Sequence, residues 1–132
     1  MNSIQLGKKP LSSMSPTLLI KNGKPFASIE TGGMRIIATM ALLISNLIDL
    51  RMDVQTAIEA LRFYNCAEVK LNLESRIPPS TQTAVEKKGH ELQIRKPFDL
   101  YFGGELSIII NPESGELHGG VDPRRDGIVL GF

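Results

Sequence analysis

Two short, mostly apolar blocks near the start of the chain predict a β-hairpin. The blocks are residues 18–20 and 25–29, and the polar sequence Lys21-Asn22-Gly23-Lys24 separates them. Asn-Gly supplies the two positive-φ positions of a type I′ turn without steric cost. We therefore expect two antiparallel strands, the second of which runs out at Glu30-Thr31-Gly32-Gly33.

A long helix is predicted directly after this hairpin. Between Arg35 and Asp49 the apolar residues follow the three-and-four spacing of an α-helix, at Ile36, Ile37, Met40, Leu43, Ile44, Leu47 and Ile48. Ala41 and Leu42 broaden this stripe, so most sides of the helix are expected to be covered. The apolar stretch is shorter than the roughly 20 residues of a bilayer span, which predicts a buried helix and no membrane segment.

The rest of the chain predicts a mixture of helices and strands. Asp53 is a candidate N-cap for a helix over residues 54–62, because its carboxylate can accept from free first-turn amides. Ser80 can cap a further helix that runs to Lys88 and ends at Gly89. Strands are predicted over residues 69–73, 90–95, 106–110 and 116–120, and a loop over residues 96–105. Since no repeat or linker interrupts them, residues 1–132 are interpreted as one domain.

Composition and charge exclude several classes of protein. The chain has 132 residues, of which 42% are hydrophobic and 22% charged, as in globular proteins. A formal charge of +1 does not indicate the strongly basic surface that binds nucleic acid or an anionic membrane. The single cysteine cannot form an internal disulfide. The first residues lack the apolar core of a signal peptide, so the protein is expected to be cytoplasmic if Met1 is its natural start.

Gly32-Gly33, between the second strand and the long helix, is the first candidate site. The first amides of a helix lack intrahelical partners and carry the positive end of its dipole. Two glycines at this point let a substrate approach the backbone with no Cβ in the way. The pair could provide two main-chain donors for a developing oxyanion. The simpler interpretation is a strand-to-helix turn without chemistry.

Ser12 and Ser13 are the second candidate site. They begin a run of hydroxyl residues, Ser12-Ser13-Met14-Ser15-Pro16-Thr17, just before the first strand. Such hydroxyls could hold a carboxylate by hydrogen bonds. Serine and threonine before proline are also ordinary turn residues.

The remaining residue types predict no metal or phosphate site. His90 and His118 are far apart in sequence, and Cys66 is near neither, so no metal-ligand spacing is present. Gly103-Gly104 lacks the lysine that follows a phosphate-binding loop. The charged residues 122–126 are interpreted as a turn held by ion pairs.

Taken together, several blocks of this sequence resemble the γ-glutamyltransferases, also called glutathione hydrolases. They occur in the family's order: Pro10-Leu11-Ser12-Ser13-Met14-Ser15-Pro16-Thr17, Gly32-Gly33-x-Arg35-Ile36-Ile37, Ala57-x-x-Ala60-x-Arg62-Phe63, Gly89-His90, and Asp122-Pro123-Arg124 with Asp126-Gly127. The resemblance implies an α+β fold that is part of the αββα sandwich of N-terminal nucleophile hydrolases. It implies that this chain is the C-terminal portion of the small subunit.

The resemblance also implies roles for the two candidate sites. Ser12 and Ser13 match the serine pair that contacts the α-carboxylate of the substrate. Gly32 and Gly33 match the pair whose main-chain amides form the oxyanion hole. In the family, glutathione or another γ-glutamyl donor acylates a threonine, and water or an amino acid then accepts the glutamyl group. This chemistry requires no cofactor and no catalytic metal.

The sequence departs from the family at the nucleophile. No Thr-Thr-His-type motif is present, so the chain alone is expected to be inactive and to need an upstream large-subunit segment or another copy. Glu30-Thr31 stands where the family usually has Ser-Pro, and Tyr64-Asn65-Cys66 where it commonly has His-His-Gln. A related acylase specificity therefore stays open. The alternative functions are a non-catalytic remnant or assembly module of the same fold, and an independent hydrolase that uses Ser13 or Cys66.

Overall fold

Two β-sheets and three α-helices make up the part of the chain that the structure, a computed structural model, describes: residues 3–9, 12–65 and 70–131. In chain order the elements are β1 (Thr17–Lys21), β2 (Lys24–Gly32), α1 (Ile36–Ile48), α2 (Val54–Glu59), β3 (Phe63–Tyr64), β4 (Lys70–Glu74), α3 (Pro79–Glu86), β5 (Glu91–Arg95), β6 (Gly104–Ile110) and β7 (Leu117–Val121). A 3₁₀ turn, Leu100–Phe102, precedes β6. This mixture confirms the predicted α+β class.

The larger sheet is antiparallel and has the strand order β1-β2-β6-β7. Its first hairpin turns at Asn22 and Gly23, whose φ angles of 53° and 76° confirm the predicted type I′ turn. The smaller sheet has the order β3-β4-β5. Its strands β4 and β5 are parallel, and α3 lies in the connection between them, as a parallel pair requires.

One face of the larger sheet carries the hydrophobic core. Along β2, Ala27, Ile29 and Thr31 are buried, whereas the residues between them are exposed. Helices α1 and α2 cover this side, where Leu43 and Ile58 are almost fully buried. Burial of one such side chain stabilises the fold by about 1.5–3 kcal/mol. The core therefore lies between this face of the larger sheet and the two helices.

The opposite face of the larger sheet, which we call the outer face, is apolar and largely uncovered within the described residues. Large side chains on it are 46–68% exposed: Leu18, Ile20, Leu106, Ile108 and Leu117. The segment after β7 crosses part of the outer face, since Val129 Cγ1 lies 2.6 Å from the position that a Cβ on Gly119 would take. An exposed apolar surface of this kind is typical of an interaction site.

A buried ion-pair cluster joins the two sheets. Arg62 Nη2 lies 2.6 Å from a carboxylate oxygen of Glu105 and 2.6 Å from one of Asp122. Arg124 donates from Nε to Glu74 Oε1 at 2.7 Å and from Nη1 to Asp122 Oδ1 at 3.1 Å. These five side chains are at most 4% exposed. The predicted ion-paired turn near residue 122 is thus present, but most of its partners lie elsewhere in the fold.

The second helix is shorter than predicted. Asp53 caps it as expected, because its Oδ1 accepts from the Thr56 amide at 3.0 Å. The helix ends at Glu59 rather than at residue 62, since Ala60 has an extended conformation with a ψ of 155°. Arg62 instead turns back and donates from Nη2 to the Ile58 carbonyl at 3.0 Å.

Other boundaries also differ from the prediction. The third helix begins at Pro79, before the predicted cap Ser80, because a proline in the first turn needs no amide partner. Gly104 belongs to strand β6 rather than to a loop, and strand β3 was not predicted. Cys66 and Val69 lie outside the described residues.

Candidate active site

The Gly32-Gly33 turn lies where β2 ends and the chain approaches α1. Gly32 is the last residue of β2 and pairs with Gly104, the first residue of β6. Gly33 has a φ of 116°, a conformation that residues with side chains rarely adopt. Helix α1 then begins at Ile36. The strand-to-helix position predicted for the glycine pair is therefore confirmed.

Gly103, immediately before β6, packs directly against this turn. A Cβ on Gly103 would lie 2.8 Å from the Gly32 carbonyl oxygen, and a Cβ on Gly33 would lie 3.1 Å from the Gly103 Cα. The first contact leaves no room for a side chain, and the second would be tight. The sequence predicted only a loop here. The second Gly-Gly pair, Gly103-Gly104, is the feature of the sequence that could have indicated a close backbone approach.

The N-terminus of α1 keeps free backbone amides beside the turn. Among the described residues no side chain caps this end, and the first turn of α1 contains no acidic residue. Arg35 instead donates from Nη1 to the Tyr101 carbonyl at 2.9 Å, and its guanidinium stacks on the Tyr101 ring. Thr39 Oγ1 donates to the Phe102 carbonyl at 2.7 Å and ties the same segment to α1. The first amides can therefore donate to an anion.

The segment with Ser12 and Ser13 enters the larger sheet from the same end as the glycine turn. They precede β1, whose antiparallel pairing with β2 places Thr17 opposite Ile29, so the chain before β1 runs toward the end where β2 stops. Both serines are exposed. Ser12 Oγ accepts from the Met14 amide at 3.3 Å. The fold thus leaves both hydroxyls accessible.

Polar side chains are buried on the covered side of the sheet, next to the glycine turn. Thr31 and Glu105 are opposite each other in the β2–β6 pairing, and Ser107 is buried on the same face. Within the described part of the chain, Thr31 Oγ1, Glu105 Oε1 and Ser107 Oγ have no hydrogen-bond partner. Burial raises the pKa of Glu105 to about 8, although the Arg62 charge opposes this shift. The sequence predicted a loop at Glu105 and did not predict the burial of its side chain.

The other candidates do not form a site in the described residues. Among residues 3–9, 12–65 and 70–131, no group of three or more histidine, cysteine, aspartate or glutamate side chains is close enough to hold a metal ion. His118 is exposed and lies 4.0 Å from Glu116. The longest of the described helices is α1, with 13 residues. None of the described helices has the length and apolar character that a membrane crossing requires.

Sequence comparison connects the chain to a known family. The family model Gamma-glutamyltranspeptidase matches residues 1–132. The chain is 35% identical over 134 residues to the glutathione hydrolase proenzyme of Escherichia coli (strain K12), covering 99% of this chain and 22% of that protein. It is 39% identical over 126 residues to the Acylase ACY 1 proenzyme of Pseudomonas sp. (strain V22), covering 95% of this chain and 22% of that protein.

Structural comparison gives the same relationship. The crystal structure of a gamma-glutamyltranspeptidase mutant from Helicobacter pylori matches with a TM-score of 0.81 and 32% sequence identity, over 92% of this chain and 66% of that chain. The expected fold, part of an N-terminal nucleophile hydrolase sandwich, is thereby confirmed. The chain spans about a fifth of the length of the curated relatives named above, at 22% of each. On both comparisons, the chain belongs to the gamma-glutamyltranspeptidase family.

Proposed function

We propose that this chain is the C-terminal part of an enzyme that transfers or hydrolyses γ-glutamyl amides such as glutathione. In that enzyme it supplies contacts to the acyl oxygen and to the substrate carboxylate. The observation that carries the proposal is the Gly32-Gly33 turn beside the uncapped start of α1, where the space around the Cβ position of Gly32 is open. Main-chain donors at such a position suit a developing oxyanion.

The glycine turn and the serine pair have separate roles in this proposal. The amides of Gly32 and Gly33 donate to the acyl oxygen as it gains negative charge, and one such donor contributes about 2.7–4 kcal/mol. The hydroxyls of Ser12 and Ser13 donate to the α-carboxylate and so hold the γ-carbonyl at the turn. The packing of Gly103 on Gly32 supports the mechanism, because rigid donors need little reorganisation as charge develops.

The nucleophilic threonine comes from another segment in this proposal. Nearby threonines already have structural roles: Thr39 Oγ1 donates to the Phe102 carbonyl, and Thr31 is 6% exposed on the covered face. Thr17 Oγ1 is bonded to Met40 Sδ at 2.9 Å. Catalytic groups act as a unit, and loss of a nucleophile costs on the order of a million-fold in turnover. The chain alone is therefore expected to be inactive.

The outer face supports an assembly with a further segment. Its apolar side chains are about half exposed or more; Met34, just before α1, and Ile37, in its first turn, are also exposed, at 91% and 77%. In an αββα sandwich a second sheet covers such a face, and burying it stabilises the pair by about 25 cal/mol per Å² of apolar area. The proposed occupant is the upstream part of the same enzyme, and a second copy of this chain is the alternative.

Co-expression tests the proposed function. The chain is produced together with a segment that carries the family's large subunit and the threonine start, and cleavage of γ-glutamyl-p-nitroanilide by the purified complex is measured. Activity of the complex, with none from either part alone, is the expected result. A stable complex without turnover would refute the enzymatic proposal and favour the non-catalytic assembly module.

An acylase specificity is the second candidate function. It is favoured by the 39% identity to an acylase proenzyme and by Glu30-Thr31, which replaces the usual Ser-Pro before the glycine turn. Competition between a γ-glutamyl amide and the matching glutaryl amide, which lacks the α-amino group, separates the two activities. Preference of the complex for the glutaryl amide would assign an acylase, and the reverse preference a γ-glutamyl enzyme.

A further inference from the structure

The side chain of Arg125 lies in a groove that two glycines keep open. A Cβ on Gly104 would lie only 2.1 Å from Arg125 Cγ, so any larger residue there would displace the arginine stem. At the end of the groove, Arg125 Nη2 lies 3.3 Å from the position that a Cβ on Gly33 would take. The backbone of Arg125 is fixed as well, because its amide donates to the Asp122 carbonyl at 3.0 Å. The fold thus brings this guanidinium to the glycine turn.

The Arg125 guanidinium has no partner of its own in the described part of the chain. It forms no side-chain hydrogen bond and no ion pair there, and it is exposed. The neighbouring arginines differ: Arg124 is bonded to Glu74 and Asp122, and Arg35 to the Tyr101 carbonyl. Arg125 therefore has its full capacity for an external ligand, and the uncapped end of α1 adds positive potential beside it.

We propose that Arg125 forms an anion subsite beside the glycine turn and selects γ-glutamyl amides whose leaving group carries a carboxylate. The inference rests on the proposed function, which places the scissile carbonyl at Gly33. Groups attached to that carbonyl then extend to the neighbourhood of the Arg125 guanidinium, whose planar fork suits a carboxylate. The leaving group of glutathione, a dipeptide with a free carboxylate, belongs to this class, whereas an anilide does not.

Binding to the full chain tests the subsite without any need for turnover. The probes are γ-glutamylglycine and γ-glutamylglycinamide, which differ only in the terminal carboxylate, and amide and guanidinium signals are followed by NMR. The acid is expected to bind about five- to tenfold more tightly than the amide, since Arg125 is partly exposed to water. In Arg125→Met, which retains the stem, this ratio is expected to fall to about one. Lys96→Met removes another exposed positive charge and is expected to keep the ratio.

The possible results separate this inference from the proposed function. Equal binding of the two probes by the unmodified chain, an unchanged ratio in Arg125→Met, or no binding of either probe would each overturn the subsite. Absence of turnover in the co-expressed complex bears on the proposed function alone and leaves the binding ratio intact. In an active complex, Arg125→Met is expected to lower kcat/KM about five- to tenfold for γ-glutamylglycine but not for the amide.

Discussion

Arg124, in the turn after the last strand, donates from Nε to the Glu74 carboxylate of the other sheet at 2.7 Å, and both side chains are fully buried. The contact crosses from one sheet to the other and is continuous, through Asp122, with Arg62 and Glu105. Charges at such depth are costly to bury unless each has its partner. The relative position of the two sheets therefore depends on this cluster remaining complete.

Arg124→Met is expected to destabilise the chain by about 3–5 kcal/mol, because it leaves Glu74 and Asp122 buried without one of their partners. Urea unfolding measures the change. Arg125→Met is the matched control, since this neighbouring arginine is exposed and unpaired, and its effect is expected to stay within about 1 kcal/mol. Similar losses in the two variants would contradict a structural role for the cluster.

Glu105 is expected to make stability fall as pH rises. Burial raises its pKa from 4.5 to about 8, so between these values the folded chain holds a proton that the unfolded chain has released. The free energy of unfolding should thus decrease between pH 5 and 8, by an amount on the order of 1–4 kcal/mol. Glu105→Gln stays neutral and should flatten this dependence, while the exposed Glu91→Gln should preserve it. Chemical unfolding at several pH values provides the test. If Glu105→Gln kept the same pH dependence of the free energy of unfolding as Glu91→Gln, the prediction would be wrong.

Gly33→Ala and Gly32→Ala are expected to differ. Gly33 has a φ of 116° and would place a Cβ 3.1 Å from the Gly103 Cα, so alanine there should cost about 1–3 kcal/mol. A Cβ on Gly32 would meet nothing within 4 Å, and the fold should tolerate it to within about 1 kcal/mol. Thermal unfolding compares them directly, and equal losses would show that the turn is not strained at Gly33.

The isolated chain is expected to self-associate through the outer face. Sedimentation velocity over a range of concentrations measures this, and Ile108→Lys, at a position 46% exposed in the middle of the outer face, should shift the chain toward a monomer. Ile94→Lys, at a similarly exposed position in the smaller sheet, is the control and should leave association unchanged. A monomeric unmodified chain would argue against an unpartnered outer face.

Ser13→Ala is expected to weaken donor binding in the assembled enzyme without lowering stability, because Ser13 is exposed. Loss of a hydrogen bond to a carboxylate costs about 1.5–3 kcal/mol, which is roughly a ten- to hundredfold loss in kcat/KM. A donor without the α-carboxylate should show no such loss. Ser75→Ala, another exposed serine, should behave as the unmodified enzyme with both donors.

The elements that the sequence predicts well are those decided by neighbouring residues. The Asn22-Gly23 turn, the spacing of α1 and the Asp53 cap are each complete within a few positions, and the structure contains all three. Their physical causes are backbone conformation, helical periodicity and a local hydrogen bond. None of these requires knowledge of distant contacts.

The features that the sequence missed depend on distant partners. Arg62 binds carboxylates 43 and 60 positions away. The early end of α2 coincides with these distant contacts, and no neighbouring residue in the sequence indicates it. The packing of Gly103 on Gly32 likewise joins two glycine pairs that the local pattern describes only as turns. For the serine and glycine sites, family resemblance supplied the roles, and the sequence alone supplied only suitable donors.

The buried ion-pair cluster also has a consequence for biosynthesis. A nascent chain exposes Arg62 and Glu74 well before Asp122 and Arg124 are synthesised, because the pairs span 60 and 50 positions. Strand β2 can pair with β1 early but must likewise wait for β6, its other neighbour in the larger sheet. Cooperative folding during translation is therefore delayed until the last strand and its following turn have left the ribosome. A chain that stops before residue 122 should remain a substrate for chaperones and proteases rather than a smaller folded protein.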